Sequence, residues 1–230
     1  MGVTRKNLKK HGTGRTVLVT AGPTLEYLDP VRYLTNRSTG EMGYSIAKEC
    51  LKKGFPVSLI TGPVFLPPPR GAEVVKVDSA SDMLKEVSSR APSCGCLIMA
   101  AAVCDFRPAE RQKRKIKKKE KMTLRLIKNK DILGTLRAKS GFVKIGFALE
   151  TDNDIKNGLK KLKDKRLDLI VVNKAGGKRS PFGKSRTDYT IMEKNGGSKS
   201  FKNISKPVIA RVIADAAERL MREKHEKTKQ

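Results

Sequence analysis

Residues 96–102, CLIMAAA, form an apolar run with no polar interruption, and no other feature limits the fold so strongly. A strand with one wet face alternates apolar and polar residues, whereas a continuous run fits a parallel sheet covered by helices on both faces. The flanking segments supply strands and helices in alternation. Residues 16–20 and 57–61 read as strands. Residues 41–53 between them read as an amphipathic helix with Met42, Ile46, Ala47, Cys50 and Leu51 inward and Gly54 as its stop. A Pro-rich loop (PVFLPPPRG) leads to a short strand at 73–77, and Ser81 and Asp82 are placed to cap a helix through Arg90. Beyond the apolar run, residues 121–128 alternate Met122, Leu124 and Leu126 with polar neighbours, which predicts an antiparallel strand paired with part of the basic loop before it. Helix is expected over 129–139, strand over 143–149, helix over 154–165 and strand over 168–173. A hairpin at 189–193 and 199–201 and a long helix over 206–223 complete the chain. This order predicts an α/β fold: a single doubly wound Rossmann-like domain with a mainly parallel sheet over residues 15–222 and a β insertion at about 106–128. Residues 1–14 and 223–230 read as basic tails.

With 230 residues and 38% hydrophobic content the chain is long enough to bury a core. It has no run of 18 apolar residues, and its first 15 residues lack an apolar h-region, so neither a membrane span nor a secretory signal is expected and the location is expected to be cytoplasmic. Cys50, Cys94, Cys96 and Cys104 lack zinc-site spacing and read as reduced packing residues. The net charge of +27 points toward nucleic acid, but residues 1–15, 113–121 and 219–230 carry +5, +6 and +3, about half the excess. Aromatic content is only 5% and tryptophan is absent, so base stacking has little to build on.

In a doubly wound sheet the ligand lies beyond the carboxyl ends of the strands. AGPT after the first strand, AAVCDFRP after the apolar run, GFALETD and Asn173 all fall there, and KNKDI adds Asn129 and Asp131 as helix caps. The segment TVLVTAGPTLEYLDPVRYLTNRSTGEMG runs from a strand through a Gly-containing loop into a helix start, an arrangement that offers backbone N–H groups to an anion.

The segments AGPTLEYLDPVRYLTNRSTGEMG, AAVCDFRP, KIKK, KNKDIL, GFALET and KRLDLIVVN stand in the order seen in phosphopantothenoylcysteine synthetases. The chain resembles that family over residues 15–222, without the flavin-binding decarboxylase half of the bifunctional bacterial protein. The resemblance implies a stand-alone phosphopantothenate–cysteine ligase. CTP, or ATP, would activate the carboxylate of 4′-phosphopantothenate as an acyl-nucleotide with loss of pyrophosphate, and cysteine would then form the amide and release CMP. It implies Mg²⁺, no flavin and a homodimer formed through the β insertion, and it leaves open both whether a separate decarboxylase docks and whether the nucleotide is CTP or ATP, because backbone groups would read the base.

Site residues follow from the same resemblance. Asn36 and Lys115 take catalytic roles, Asn36 at the acyl-nucleotide and Lys115 at its phosphates. Asn36, Arg37 and Gly40 would bind substrate. Gly22, Ser38, Thr39, Met99, Ala100, Ala101, Asp105, Asn129, Lys130, Asp131, Ile132, Phe147, Lys161 and Lys165 would bind nucleotide, with Asp105 also placed to hold Mg²⁺. The neighbours of Lys115, including Lys113 and Lys119, read as solvated loop charges.

Three departures stand out: Lys130 where the family has proline, Glu41 where it often has a basic residue, and Ser185, Arg186 and Thr187 in FGKSRTDY. Two rival classes remain. Tyr44 and Lys48 mimic the catalytic pair of an NAD(P)-dependent reductase, although the first loop has only Gly22 of the expected glycines. A basic nucleic-acid-binding protein rests on charge alone and predicts steep salt dependence.

Overall fold

A computed structural model describes residues 15–118, 120–138, 141–150, 154–174 and 186–229. The predicted tail at 1–14, Lys119, the end of GFALETD and Ser185 lie outside them. The strands are β1 (Val17–Ala21), β2 (Leu25–Tyr27), β3 (Tyr33–Thr35), β4 (Val57–Thr61), β5 (Glu73–Lys76), β6 (Cys96–Met99), β7 (Phe106–Pro108), β8 (Leu126–Lys128), β9 (Val143–Glu150), β10 (Leu169–Lys174), β11 (Thr187–Glu193) and β12 (Ser198–Ile204). The helices are α1 (Glu41–Lys52), α2 (Ala80–Arg90), α3 (Ile132–Thr135), α4 (Asp154–Asp164) and α5 (Lys206–Lys229).

Eight strands form one sheet in the order β12-β11-β10-β9-β6-β1-β4-β5. The six from β5 to β10 pair in parallel, and β11 and β12 add an antiparallel hairpin at one edge. Numbered among themselves, the parallel strands lie 3-2-1-4-5-6, the dinucleotide-fold order, whose reversal between β1 and β6 opens a crevice at their carboxyl ends. The α/β doubly wound expectation therefore holds.

Alternate residues of each strand feed two cores. Val17, Val19, Ile98, Ile145 and Val171 pack under α1 and α5, and Leu18, Leu97, Ile60, Ile170 and Val172 pack under α2, α3 and α4. This two-sided burial accounts for the apolar run. The run ends as a strand at Met99, however, not at Ala102, which makes only an isolated parallel bridge to Pro23, its N–H donating to the Gly22 carbonyl at 2.8 Å.

Other local expectations change. Ser79, not Ser81, caps α2; its hydroxyl accepts from the Asp82 N–H and the Asp82 carboxylate accepts from the Ser79 N–H, a reciprocal capping box. The strand expected over 121–128 is confined to β8, which pairs with β7 rather than with the basic loop. Among the described residues of the 129–139 stretch, helix occupies only Ile132–Thr135, with Asp131 as its cap. The last helix runs to Lys229, past the tail expected from residue 223, and Lys224 Nζ donates to the Phe142 carbonyl at 2.7 Å. The basic loop is anchored at the β2–β3 turn, where buried Asp29 accepts from the N–H groups of Ile116, Val31 and Arg32. Burial alone would raise the Asp29 carboxyl, but these donors and the Arg32 guanidinium hold it below its ordinary value.

Candidate active site

Chain leaving β1 turns at Gly22 (φ +73°), makes the β2–β3 hairpin, and returns to the same point at Gly40 (φ +76°), the N-terminal cap of α1. Both backbones are left-handed, and a Cβ on Gly40 would stand 3.4 Å from Gly22 Cα and 2.7 Å from Val64 Cγ1, so the two glycines are fitted back to back. No side chain caps α1. The Gly40 N–H donates to Ser38 Oγ at 3.2 Å, and the first intrahelical bond is Tyr44 N–H to the Gly40 carbonyl. The first turn of α1 thus faces the crevice beside β6 with its helix dipole positive.

The loop after β6 is locked to this turn. Thr24 Oγ1 accepts from the Cys104 N–H at 3.0 Å, and Asn36 Nδ2 donates to the Val103 carbonyl at 2.8 Å and lies 3.4 Å from that of Ala102. Asn36 is exposed at the crevice, yet its amide hydrogens already have carbonyl partners. Beyond β6, Asn129 ties the next turn down: its N–H donates to the Asp105 carbonyl and its Nδ2 to that of Cys104, while its Oδ1 accepts from Arg107 Nη1.

Two cavities open at the switch point. One, of about 480 Å³, lies on the α3–α4 side and is lined by Met99, Asp105, Asn129, Lys130, Asp131 and Ile132 together with Lys128, Lys160 and Lys165. The other, of about 430 Å³, lies on the α1–α5 side and is lined by Asn36, Arg37, Ser38, Thr39, Gly40 and Ala100 together with Glu41, Asn173, Tyr189 and Lys206. Ala101, Val103, Asp105, Phe147 and Lys161 line both. Phe147 reaches this boundary because β9 runs four residues past Gly146, the partner of the last β6 residue, Met99.

Electrostatically the first cavity is cationic with local counter-ions. Lys161 Nζ donates to the Phe147 carbonyl at 2.7 Å, and burial pushes its ammonium below the ordinary lysine value against the charges of Glu150 and Asp105. Lys165 is likewise lowered, by burial and by Lys128, and it pairs with Asp131, which caps α3 through the Gly134 N–H at 2.9 Å. Lysines held in partly dry surroundings and only partly neutralised suit a polyanion.

Residues 12–220 match the family described as the DNA/pantothenate metabolism flavoprotein C-terminal domain. The chain belongs to this family. It is 42% identical over 196 residues to the coenzyme A biosynthesis bifunctional protein CoaBC of Bacillus subtilis (strain 168), a match covering 84% of this chain and 48% of that protein. A crystal structure of the C-terminal domain of a coenzyme A biosynthesis bifunctional protein CoaBC has a TM-score of 0.79 and 34% identity, covering 92% of this chain and 98% of that one. A Cab2 mutant in complex with phosphopantothenate-cysteine shares the fold at a TM-score of 0.75 and 17% identity, covering 94% and 89%. The chain spans about half the length of the curated relatives it matches.

Within this family fold, all but two of the expected site residues line one or both cavities. Gly22 lies beneath them as the partner of Gly40. Lys115 lies apart: it is exposed in a separate cavity with Leu28, Ile116 and Met122, within the loop anchored on Asp29. Tyr44 is buried in the core and Lys48 is exposed, and neither lines a cavity at the crevice, so the reductase-like pair is a coincidence of spacing. Glu41 pairs with Lys206, whose Nζ lies 3.2 Å from its carboxylate. Sequence reading missed Lys206, Tyr189, Lys128 and Lys160. Tyr189 read only as a hairpin residue, and the Lys206 pairing spans 165 positions.

Proposed function

We propose that this domain carries phosphopantothenate–cysteine ligase activity: CTP or ATP activates 4′-phosphopantothenate, and cysteine captures the acyl-nucleotide. The observation that carries this reading is the pair of cavities meeting at Ala101, Val103, Asp105, Phe147 and Lys161. A two-substrate activation needs the nucleotide and the acid in adjoining pockets with their reacting ends together. The lysine-rich α3–α4 cavity takes the nucleotide, with Phe147 beside the pyrimidine and Lys161 and Lys165 on phosphates. The α1–α5 cavity takes phosphopantothenate, with Asn36 and Arg37 at the acyl end and Ser38, Thr39 and Gly40 as donors at the helix start. In the first step a carboxylate oxygen attacks the α-phosphorus and pyrophosphate leaves. In the second the cysteine amine attacks the acyl carbon, the nucleoside monophosphate leaves with the carbon–oxygen bond electrons, and a proton is released.

For Asn36 to donate to the acyl oxygen it must exchange its bond to the Val103 carbonyl for one to substrate. Among the described residues no group of three or more His, Cys, Asp or Glu is arranged to hold a metal ion. Asp105, exposed between the cavities, fits Mg²⁺ as a single carboxylate ligand beside phosphate oxygens. The ion would offset charge on the departing pyrophosphate. No flavin enters this reading.

We further propose a homodimer. Phe106, Met122, Leu124 and Leu126 expose 52%, 49%, 39% and 43% of their surface on and beside β7 and β8, more apolar area than that short pair needs to leave open. Lys115 stands on the same loop region, so its part in catalysis requires that loop to move or a second copy to supply it. Light scattering tests the dimer; a strict monomer at micromolar concentration contradicts it. Incubation with Mg²⁺, phosphopantothenate and CTP or ATP, with and without cysteine, tests the ligase. Pyrophosphate and nucleoside monophosphate are expected to accumulate with cysteine, and no turnover with either nucleotide contradicts the reading.

A further inference from the structure

The corner where α1 and α5 begin contains a group that no bond in the structure explains. Tyr189 is only 2% exposed, and its hydroxyl has no hydrogen-bond partner. It lines the same cavity as Asn36, Glu41, Asn173 and Lys206, directly opposite Asn173 in the β10–β11 register. Buried hydroxyls are nearly always satisfied, so an orphan beside a cavity points to a partner that arrives with a ligand. Beside it Glu41 and Lys206 place one carboxylate and one ammonium 3.2 Å apart, with Lys206 only 6% exposed.

Charge decides which ligand suits this corner. A phosphate dianion would gain from Lys206 but be repelled by Glu41 at nearly the same distance. A zwitterion with its two charges a few bonds apart opposes each of the protein's charges with an opposite one and gives the hydroxyl an acceptor. We infer that Glu41, Lys206 and Tyr189 form the subsite for the α-amino acid that attacks the acyl-nucleotide, with Lys206 and the Tyr189 hydroxyl on its carboxylate and Glu41 on its ammonium. The inference rests on the ligase reading. It also gives Glu41 a role in recognition.

The test compares L-cysteine with cysteamine, which keeps the amine and thiol and lacks the carboxylate. The wild-type protein is expected to favour cysteine in kcat/KM. In Tyr189→Phe the cysteine-to-cysteamine ratio falls about tenfold, the loss expected when a hydroxyl to a charged group is removed. Lys206→Met lowers the ratio further, whereas Glu41→Gln raises KM for both amines alike. Because the hydroxyl has no partner to lose, Tyr189→Phe keeps the experiment valid even if the other variants fold poorly. An unchanged ratio in Tyr189→Phe overturns the inference, and so does a rise in KM for phosphopantothenate instead of cysteine, which would make the corner a phosphate site. Exchange of labelled pyrophosphate into CTP and, in parallel, into ATP, run with phosphopantothenate and no amine, separates the two levels. Exchange with an unchanged ratio removes only the subsite; no exchange removes the ligase reading and the subsite with it.

Discussion

Gly43 is where the fold and the site share one contact, and Gly43→Ala probes both. An added Cβ would lie 2.6 Å from Ala21 Cβ and 2.8 Å from the Thr20 carbonyl oxygen, the latter part of the β1 backbone. Carbon atoms pack at about 3.5–4.0 Å, so α1 would have to retreat by roughly 1 Å. Overpacking of this kind costs about 1–3 kcal/mol. Alanine returns about 1 kcal/mol of helix propensity. The net loss of about 0–2 kcal/mol lowers Tm by at most roughly 8 °C in a chain of this size. Activity should suffer more. The retreat carries Gly40 and the open first turn of α1 away from Asn36 and the β6 loop, and a 1 Å misplacement can cost about 100-fold. Calorimetry and pyrophosphate release from the same preparation read the two effects. A variant with unchanged Tm and unchanged turnover would refute the close approach of α1 to β1 as the device that places the helix start.

Three further outcomes follow from the site. Asp131→Ala removes the cap of α3 and the partner of Lys165. It should cost about 1 kcal/mol, and an unchanged melting curve would contradict the cap. Lys161 is depressed by burial, so a polyanion bound beside it raises its pKa back toward the ordinary value. Nucleotide affinity should therefore fall as pH rises through the depressed value, and binding there should take up protons, measured by titration calorimetry in buffers of different ionisation enthalpy; proton release would contradict it. Asn36→Asp replaces a donor to the Val103 carbonyl with a carboxylate that repels that carbonyl and the developing acyl oxygen. Product formation should drop at least about 100-fold, and an unchanged rate would remove Asn36 from the site.

The sheet was legible because parallel strands covered on both faces are mostly apolar, and the runs beginning at Val17, Val57, Cys96, Val143 and Leu169 are, with Thr20, Ser58 and Lys144 among the buried exceptions. Its ends were less so. Ala100, Ala101 and Ala102 continue the apolar run but line a cavity, and small apolar residues serve a strand interior and a ligand wall equally well. Residues 121–125 alternate like a strand, yet β7 supplies partners only for Leu126, Ile127 and Lys128, and Met122 and Leu124 are left exposed. Local caps such as Asp131 were readable from spacing, since they act within one turn. Lys206, Ile116 and Val103, which bond to Glu41, Asp29 and Asn36, lie 165, 87 and 67 residues away from them, and periodicity carries no signal for contacts of that kind.

The most direct test of an acyl-nucleotide formed where the two cavities meet is the fate of the substrate's own oxygen. Phosphopantothenate labelled with ¹⁸O in its carboxylate, turned over with nucleotide and cysteine, should yield nucleoside monophosphate carrying one ¹⁸O by mass spectrometry, because a carboxylate oxygen stays on the α-phosphorus when the amide forms. Unlabelled monophosphate, or label recovered in inorganic phosphate, would contradict activation through an acyl-nucleotide.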